Sequence, residues 1–278
     1  MKNLKSFGFN TKNKTYVISE IGINHSGSLK IAKKLIESSA RCGVDAVKFQ
    51  TYITEKRTSK NSPIFDILKK CELPFDDFLK LKSYAESFNL DFFSTPFDEE
   101  SVDFLESIDT KLYKIASFDV TNHKLLKKIS KTLKPIIMSV GMSNLEEIKL
   151  AYDIIRLKNP NIALLHCISS YPTKESDSNL ASITKLKQVF DCVVGQSDHT
   201  NDIDVPIYAV CAGAQIIEKH FKIDSKMDCP DSPVSITETQ MNKLVKNIRR
   251  IEKIMGNQEL GLKECERGTE QYRRKTNI

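Results

Sequence analysis

Tyr16-Val17-Ile18-Ser19-Glu20-Ile21-Gly22 and Ala46-Val47-Lys48-Phe49-Gln50-Thr51-Tyr52 flank a segment, 29–42, in which Ile31, Leu35, Ile36 and Ala40 recur at helical spacing. The flanking runs are short and apolar on successive positions, as expected of parallel strands covered on both faces. Strand, helix and strand in that order make a βαβ unit, and the unit repeats along the chain. Further runs of the same kind occupy 91–96, 111–117, 135–141, 162–169, 192–197 and 215–221, which brings the strands to eight. Between two of them, 145–157 reads as another amphipathic helix. Asn144 stands ahead of it as a cap, and Glu146 and Glu147 sit in its first turn, where the helix dipole favours negative charge. Eight strands alternating with helices predict an α/β fold of the (β/α)8 TIM-barrel class, with a doubly wound open sheet as the alternative. A length of 278 residues agrees with the roughly 250 of such a barrel. No Pro/Gly/Ser-rich linker divides the chain. The expectation is a single barrel domain over 1–256, then a polar, basic tail or truncated linker over 257–278.

Composition narrows the function classes. Hydrophobic residues make up 40% and charged residues 28%, enough apolar material for a sizeable core and too much for a disordered chain. No apolar run reaches the roughly 18 residues of a membrane span. The start, Met1-Lys2-Asn3-Leu4-Lys5-Ser6, has no apolar signal core, so the expected location is the cytoplasm, with no membrane partner. The seven cysteines form no C-x-x-C pair and mostly sit in apolar runs, as reduced thiols do. A net charge of +6 is spread among acidic residues without interleaved aromatics, which argues against a nucleic-acid partner.

The predicted strands end in reactive side chains. Lys48 and Lys114 lie between apolar neighbours, so each is expected to point into the barrel, where an unpaired ammonium is costly and an anion is its natural partner. With the hydroxyls of Thr95, Ser117, Ser139 and Ser197 they suggest a cage for a phosphate and a carboxylate. The plainer reading pairs one lysine with Glu20 or Asp198 and turns the other outward. A Schiff-base role for either lysine is a third reading. His199 and His220 close adjacent predicted strands, where two imidazoles can converge on one divalent cation. Each making one hydrogen bond at the barrel mouth is the structural alternative. Glu20, enclosed by apolar sequence, suits a general acid/base or an internal pair with Lys48. Tyr171, before Pro172, is placed to present its hydroxyl to a substrate, and Asp231, in the turn-rich Cys229-Pro230-Asp231-Ser232-Pro233, to bond a polyol.

At these residues the chain resembles the barrel domain of the N-acetylneuraminate (sialic acid) synthase family, which includes pseudaminate and legionaminate synthases. The matching stretches include Ser19-Glu20-Ile21-Gly22-Ile23-Asn24-His25, Val47-Lys48-Phe49-Gln50-Thr51, Ser94-Thr95-Pro96-Phe97-Asp98, His166-Cys167-Ile168-Ser169-Ser170-Tyr171-Pro172, Ser197-Asp198-His199-Thr200 and Glu218-Lys219-His220-Phe221. The resemblance implies a synthase that condenses phosphoenolpyruvate with the open-chain aldehyde of an N-acylated amino sugar, N-acetylmannosamine or a diacetamido-trideoxyhexose, releasing phosphate by C–O cleavage. It implies that His199 and His220 hold Mn2+ or Mg2+. Lys48, Thr95, Lys114, Ser117, Ser139 and Ser197 would hold phosphoenolpyruvate, Glu20 would be the catalytic carboxylate, and Gln50, Tyr171 and Asp231 would contact the sugar. The chain departs from the family at Ser117-Phe118-Asp119, where many sialate synthases have Ser-Gly-Glu, and at Ser169, where some have Asn. The family also carries a C-terminal antifreeze-like domain that lends an arginine to the partner subunit's site. The expectation is therefore a homodimer or a separate polypeptide supplying that domain. The competing readings are a Schiff-base aldolase or lyase barrel and a non-catalytic sugar-binding remnant.

Overall fold

A computed structural model describes residues 3–9, 15–257 and 259–274. The strands are β1 (Tyr16–Gly22), β2 (Ala46–Thr51), β3 (Asp91–Pro96), β4 (Tyr113–Ile115), β5 (Ile136–Ser139), β6 (Ile162–Cys167), β7 (Val193–Asp198) and β8 (Ile216–His220). They pair in chain order, all parallel, and β8 closes on β1, with Glu20 opposite His220. The helices are α1 (Leu4–Phe7), α2 (Leu29–Arg41), α3 (Thr54–Arg57), α4 (Phe65–Cys71), α5 (Phe75–Glu86), α6 (Glu99–Ser107), α7 (His123–Ser130), α8 (Leu145–Arg156), α9 (Ala181–Val189), α10 (Asp204–Cys211) and α11 (Glu238–Ile254). This is a (β/α)8 TIM barrel, as the alternation predicted, and the open sheet is excluded.

Local chemistry explains the boundaries. Asn144 Oδ1 accepts from the amides of Glu146 and Glu147 at 2.9 and 3.0 Å, and the Glu147 carboxylate accepts from the Asn144 amide at 2.8 Å. That reciprocal cap starts α8 where the sequence places it. Five strands, β2, β4, β5, β6 and β8, are shorter than expected, chiefly because their C-terminal residues leave the sheet for loops. Ser117 opens a turn over Ser117–Asp119, and its Oγ accepts the Gly141 amide at 2.9 Å, tying the ends of β4 and β5 together.

Alternation along each strand splits the apolar residues into two cores. Val17, Val47, Phe49, Phe92, Met138, Leu164, Val194 and Ile217 face the helices. Ile18, Ala46, Phe93, Leu112, Ile137, Leu165, Val193 and Ile216 fill the lower barrel interior. Leu4, Phe7 and Phe9 join that inner core from below, and Phe9 stacks on Tyr16 with ring centroids 3.9 Å apart. Gly195 sits where the interior is tightest: a Cβ there would lie 2.3 Å from the Ile216 carbonyl oxygen and 2.7 Å from Leu165. The barrel is therefore filled at its N-terminal end, and polar chemistry is confined to the C-terminal end. Past α11, the described residues are exposed and form only short turns, at Glu264–Glu266 and Glu270–Tyr272. Residues 258 and 275–278 of the expected tail lie outside the described residues. Among the described residues, no helix is long and apolar enough to cross a membrane.

Candidate active site

One layer above the inner apolar core, the inward positions become ionic. Lys48 follows Ala46 by two residues, Lys114 follows Leu112, and Glu218 follows Ile216, so period two aims all three into the barrel. Lys48 Nζ lies 2.9 Å from Glu20 Oε2 and 3.7 Å from Glu218 Oε2, and it donates to Thr95 Oγ1 at 3.2 Å. Lys114 Nζ lies 3.3 Å from Glu218 Oε1 and donates to Ser139 Oγ at 2.7 Å. The Ser197 hydroxyl donates to the same Glu218 oxygen at 2.8 Å. Two ammonium groups and two carboxylates thus form a buried, charge-balanced floor, ringed by hydroxyls.

Neighbouring charges set the two buried carboxyls apart. Chiefly through desolvation, and further through the Glu218 charge, the Glu20 carboxyl is raised above its ordinary value, with Lys48 and His220 offsetting only part. Burial pushes Glu218 upward as well, but Lys114, Lys48 and the Ser197 hydroxyl outweigh it and hold this carboxyl at about 2. Two neighbouring carboxyls with opposite shifts divide the labour: one stays ionised, the other is able to carry a proton. Burial also lowers Lys114, with Glu218 opposing, whereas for Lys48 the two carboxylates overcome burial and raise it.

The next layer holds the imidazoles. His199 and His220 have ring centroids 5.3 Å apart, and Tyr171 stacks on His199 at 4.2 Å. His199 Nδ1 lies 2.8 Å from the Ile168 carbonyl oxygen, so that nitrogen carries the proton and Nε2 keeps its lone pair. His220 Nδ1 faces Asp231 Oδ2 at 3.3 Å without an aligned hydrogen bond. Burial opposes protonation of His220, but Asp231 and then Glu20 reverse this and raise it. Asp231 is itself placed by its amide, which donates to Asn24 Oδ1 at 3.0 Å. These donors fit a divalent cation: two close imidazoles, one with its tautomer fixed by a backbone carbonyl. Among the described residues, no group of three His, Cys, Asp or Glu side chains forms a complete protein ligand set. Two imidazoles therefore leave coordination positions open to small molecules.

All twelve residues singled out in the sequence line one cavity of about 340 Å³, within the usual range for a small-molecule site. The plainer reading of the lysines holds in part. Lys48 does pair with Glu20, but Lys114 does not turn outward, and Asp198 pairs with neither. Asp198 is held by Lys219 at 2.5 Å, behind the sheet, because residue 219 is out of phase with the inward 218 and 220. Glu218 is the main residue the sequence reading missed, although the inward placement of His220 already fixed its direction. Arg57 was missed too: its Nη1 donates to Gln50 Oε1 at 3.0 Å, and Gln50 Nε2 in turn donates to Glu20 Oε1 at 3.3 Å. It lies on a one-turn helix in the β2–β3 connection, where no periodicity announces a side-chain direction. Of the buried side-chain atoms without a protein hydrogen-bond partner among the described residues, Glu218 Oε2 and His220 Nδ1 belong to this site. Such atoms mark a place built to receive polar groups.

The chain is similar to known proteins. Residues 35–260 match the NeuB family. The chain is 40% identical to the N,N'-diacetyllegionaminic acid synthase of Campylobacter jejuni, over 87% of this chain and 78% of that protein. It is 34% identical to the pseudaminic acid synthase of the same organism, over 92% and 79%. Its fold superposes on a crystal structure of the N-acetylneuraminic acid synthetase of Leptospira borgpetersenii, in complex with citrate, with a TM-score of 0.90. That pair is 36% identical and covers 93% of this chain and 90% of the other.

Proposed function

Because this chain belongs to the NeuB family, we propose that it is a nonulosonic acid synthase that joins phosphoenolpyruvate to the open-chain aldehyde of an N-acylated amino sugar. The observation that carries the reading is the stacking of two functions in one cavity: a floor of two buried lysines ringed by hydroxyls, beneath two converging imidazoles.

The chemistry divides along those layers. Phosphoenolpyruvate brings a phosphate and a carboxylate, and Lys48 and Lys114 are the cations that receive them. Thr95, Ser117, Ser139 and Ser197 supply neutral donors that orient the oxygens. Carbon–carbon bond formation runs from C3 of phosphoenolpyruvate to the aldehyde carbon, and the aldehyde oxygen then takes a proton. Water adds at C2 and gives up one proton, which balances the one taken by the aldehyde oxygen; the C2–O bond to phosphate then breaks as the C2 hydroxyl becomes the ketone, its proton leaving with the phosphate. Glu20, raised and hydrogen-bonded to Gln50, is the group suited to hold the proton exchanged in these steps. Glu218 stays ionised and keeps the lysine amines in place. His199 and His220 would hold a divalent cation, Mn2+ or Mg2+, which would supply Lewis-acid polarisation of a carbonyl. Gln50, Tyr171 and Asp231 line the space beside it for the sugar. A Schiff-base mechanism is less favoured, since Lys48 and Lys114 each face a carboxylate rather than standing as a free amine.

The test is phosphate release from phosphoenolpyruvate. Release should require an amino-sugar aldehyde and Mn2+ or Mg2+, stop on chelation and return on adding metal. Full activity in chelated protein would remove the metal assignment. Trapping of substrate by borohydride would move the enzyme to the Schiff-base class.

A further inference from the structure

Each imidazole of the site follows a residue that points the other way. Asp198, the last residue of β7, precedes His199, and Lys219 precedes His220 at the end of β8. The two are register partners across the β7–β8 pairing. Their side chains continue the helix-facing phase of Val194 and Ile217, so they meet behind the sheet and do not line the cavity. Lys219 Nζ lies 2.5 Å from Asp198 Oδ2, and the two side chains are 0% and 2% exposed. The same amine donates to the Thr200 carbonyl oxygen. One ammonium group, carried by the residue before His220, thereby grips the chain on both sides of His199.

Its acceptors are held in turn. The Thr200 hydroxyl donates to Asp198 Oδ2 at 2.7 Å, and Gln196 Nε2 donates to Asp198 Oδ1 at 3.3 Å. The His199 carbonyl oxygen accepts the Thr173 amide at 2.9 Å. Stability alone does not call for such a pair. Taking both charges out of water is costly, and apolar side chains of similar volume would hold the two strands together as well or better. What an ion pair with several hydrogen bonds adds is direction. Side chains that converge on one ligand have to be held to within about 0.5 Å, and apolar contacts alone are too permissive for that.

Resting on the metal-dependent synthase reading above, we propose that Lys219 and Asp198 are positioning residues. From outside the cavity, their ion pair sets how His199 and His220 converge on a divalent cation. It acts through the backbone that carries the two rings.

The experiment titrates the whole chain with Mn2+ alone and reads the dissociation constant from the electron paramagnetic resonance of the free ion. Lys219→Met and Asp198→Asn should each weaken Mn2+ binding about ten- to a hundredfold, the usual penalty for losing a group that orients a metal-binding side chain. Phosphoenolpyruvate binding to the metal-free protein should stay within about twofold, because Lys48 and Lys114 stand on β2 and β4. Lys219→Met combined with Asp198→Leu separates positioning from support. It should regain the melting temperature of the parent and keep the weakened Mn2+ constant. Recovery of both overturns the inference and leaves the metal reading intact, as does Mn2+ affinity within about twofold of the parent in all three variants. Asp198→Asn, which preserves shape, decides the matter by the same two binding measurements if the methionine variants fail to fold. If the unaltered protein binds no Mn2+, the metal reading falls and takes the inference with it.

Discussion

Glu218 Oε1 stands 3.3 Å from Lys114 Nζ at the centre of the barrel, and its other oxygen lies 3.7 Å from Lys48. Glu218 therefore bridges two ammonium groups, and Glu20, 2.9 Å from Lys48, supplies the second carboxylate that balances them. The arrangement holds both amines in place at the level where a substrate's anionic groups would meet them.

On the synthase reading, Lys114 is expected to serve anion binding first. Lys114→Ala should raise the phosphoenolpyruvate KM about a hundredfold, the loss of a charge-assisted contact of roughly 3 kcal/mol, and change the acceptor KM far less. Steady-state kinetics with each substrate varied in turn checks this. Equal losses for both substrates would mean that Lys114 supports the cavity as a whole.

The imidazole pair makes a separate prediction. His220→Ala should abolish Mn2+ binding, read from the signal of free Mn2+ in electron paramagnetic resonance, and reduce turnover by about a thousandfold or more. Its far-ultraviolet circular dichroism should match the parent. Retained Mn2+ binding would show that His220 serves only as a partner of Asp231.

His25 gives stability a pH dependence apart from the chemistry. Burial lowers its pKa to about 4 from an ordinary 6.5, with a Gly22 backbone hydrogen bond opposing. Its Nδ1 accepts the Gly27 amide at 3.1 Å, which requires the neutral ring. The unfolded chain takes up a proton below pH 6.5 and the folded chain does not until near pH 4. The stabilisation is therefore complete above the unfolded value and is lost as pH falls through this window. Between pH 7 and pH 5 the loss should be about 2 kcal/mol. Denaturant unfolding at the two pH values measures it, and His25→Gln should flatten the difference. An equal slope in the variant would assign the effect to other groups.

Gly195 tests the packing beneath the floor. Its added Cβ in Gly195→Ala would meet a backbone oxygen at 2.3 Å and two side chains at 2.7 Å, so the barrel has to shift. Overpacking of this kind costs about 1–3 kcal/mol, or more where backbone must move. A fall in melting temperature of several degrees is expected, and an unchanged one would show that the interior yields easily.

Most of the fold was legible because parallel strands buried on both faces leave continuous apolar runs, and eight of them alternating with helices have few ways to close. The site was legible where a charged residue interrupts such a run, as at Glu20, Lys48 and Lys114. It was less so at β8, where three polar residues stand side by side in Glu218-Lys219-His220. Only the strand's phase separates the inward carboxylate from the outward Lys219, which pairs with Asp198 behind the sheet. Arg57 was illegible for another reason: its direction is set by Phe97, forty residues on, and no local pattern encodes that contact.

The stacked Phe9 and Tyr16 close the lower end of the barrel, with Leu4 and Phe7 packed around them. Among the described residues the lysine floor is therefore reached from the C-terminal end, past His199 and His220. On the synthase reading proposed above, phosphoenolpyruvate is then expected to bind before the sugar that sits over it. A dead-end analogue of the sugar should trap phosphoenolpyruvate instead of competing with it.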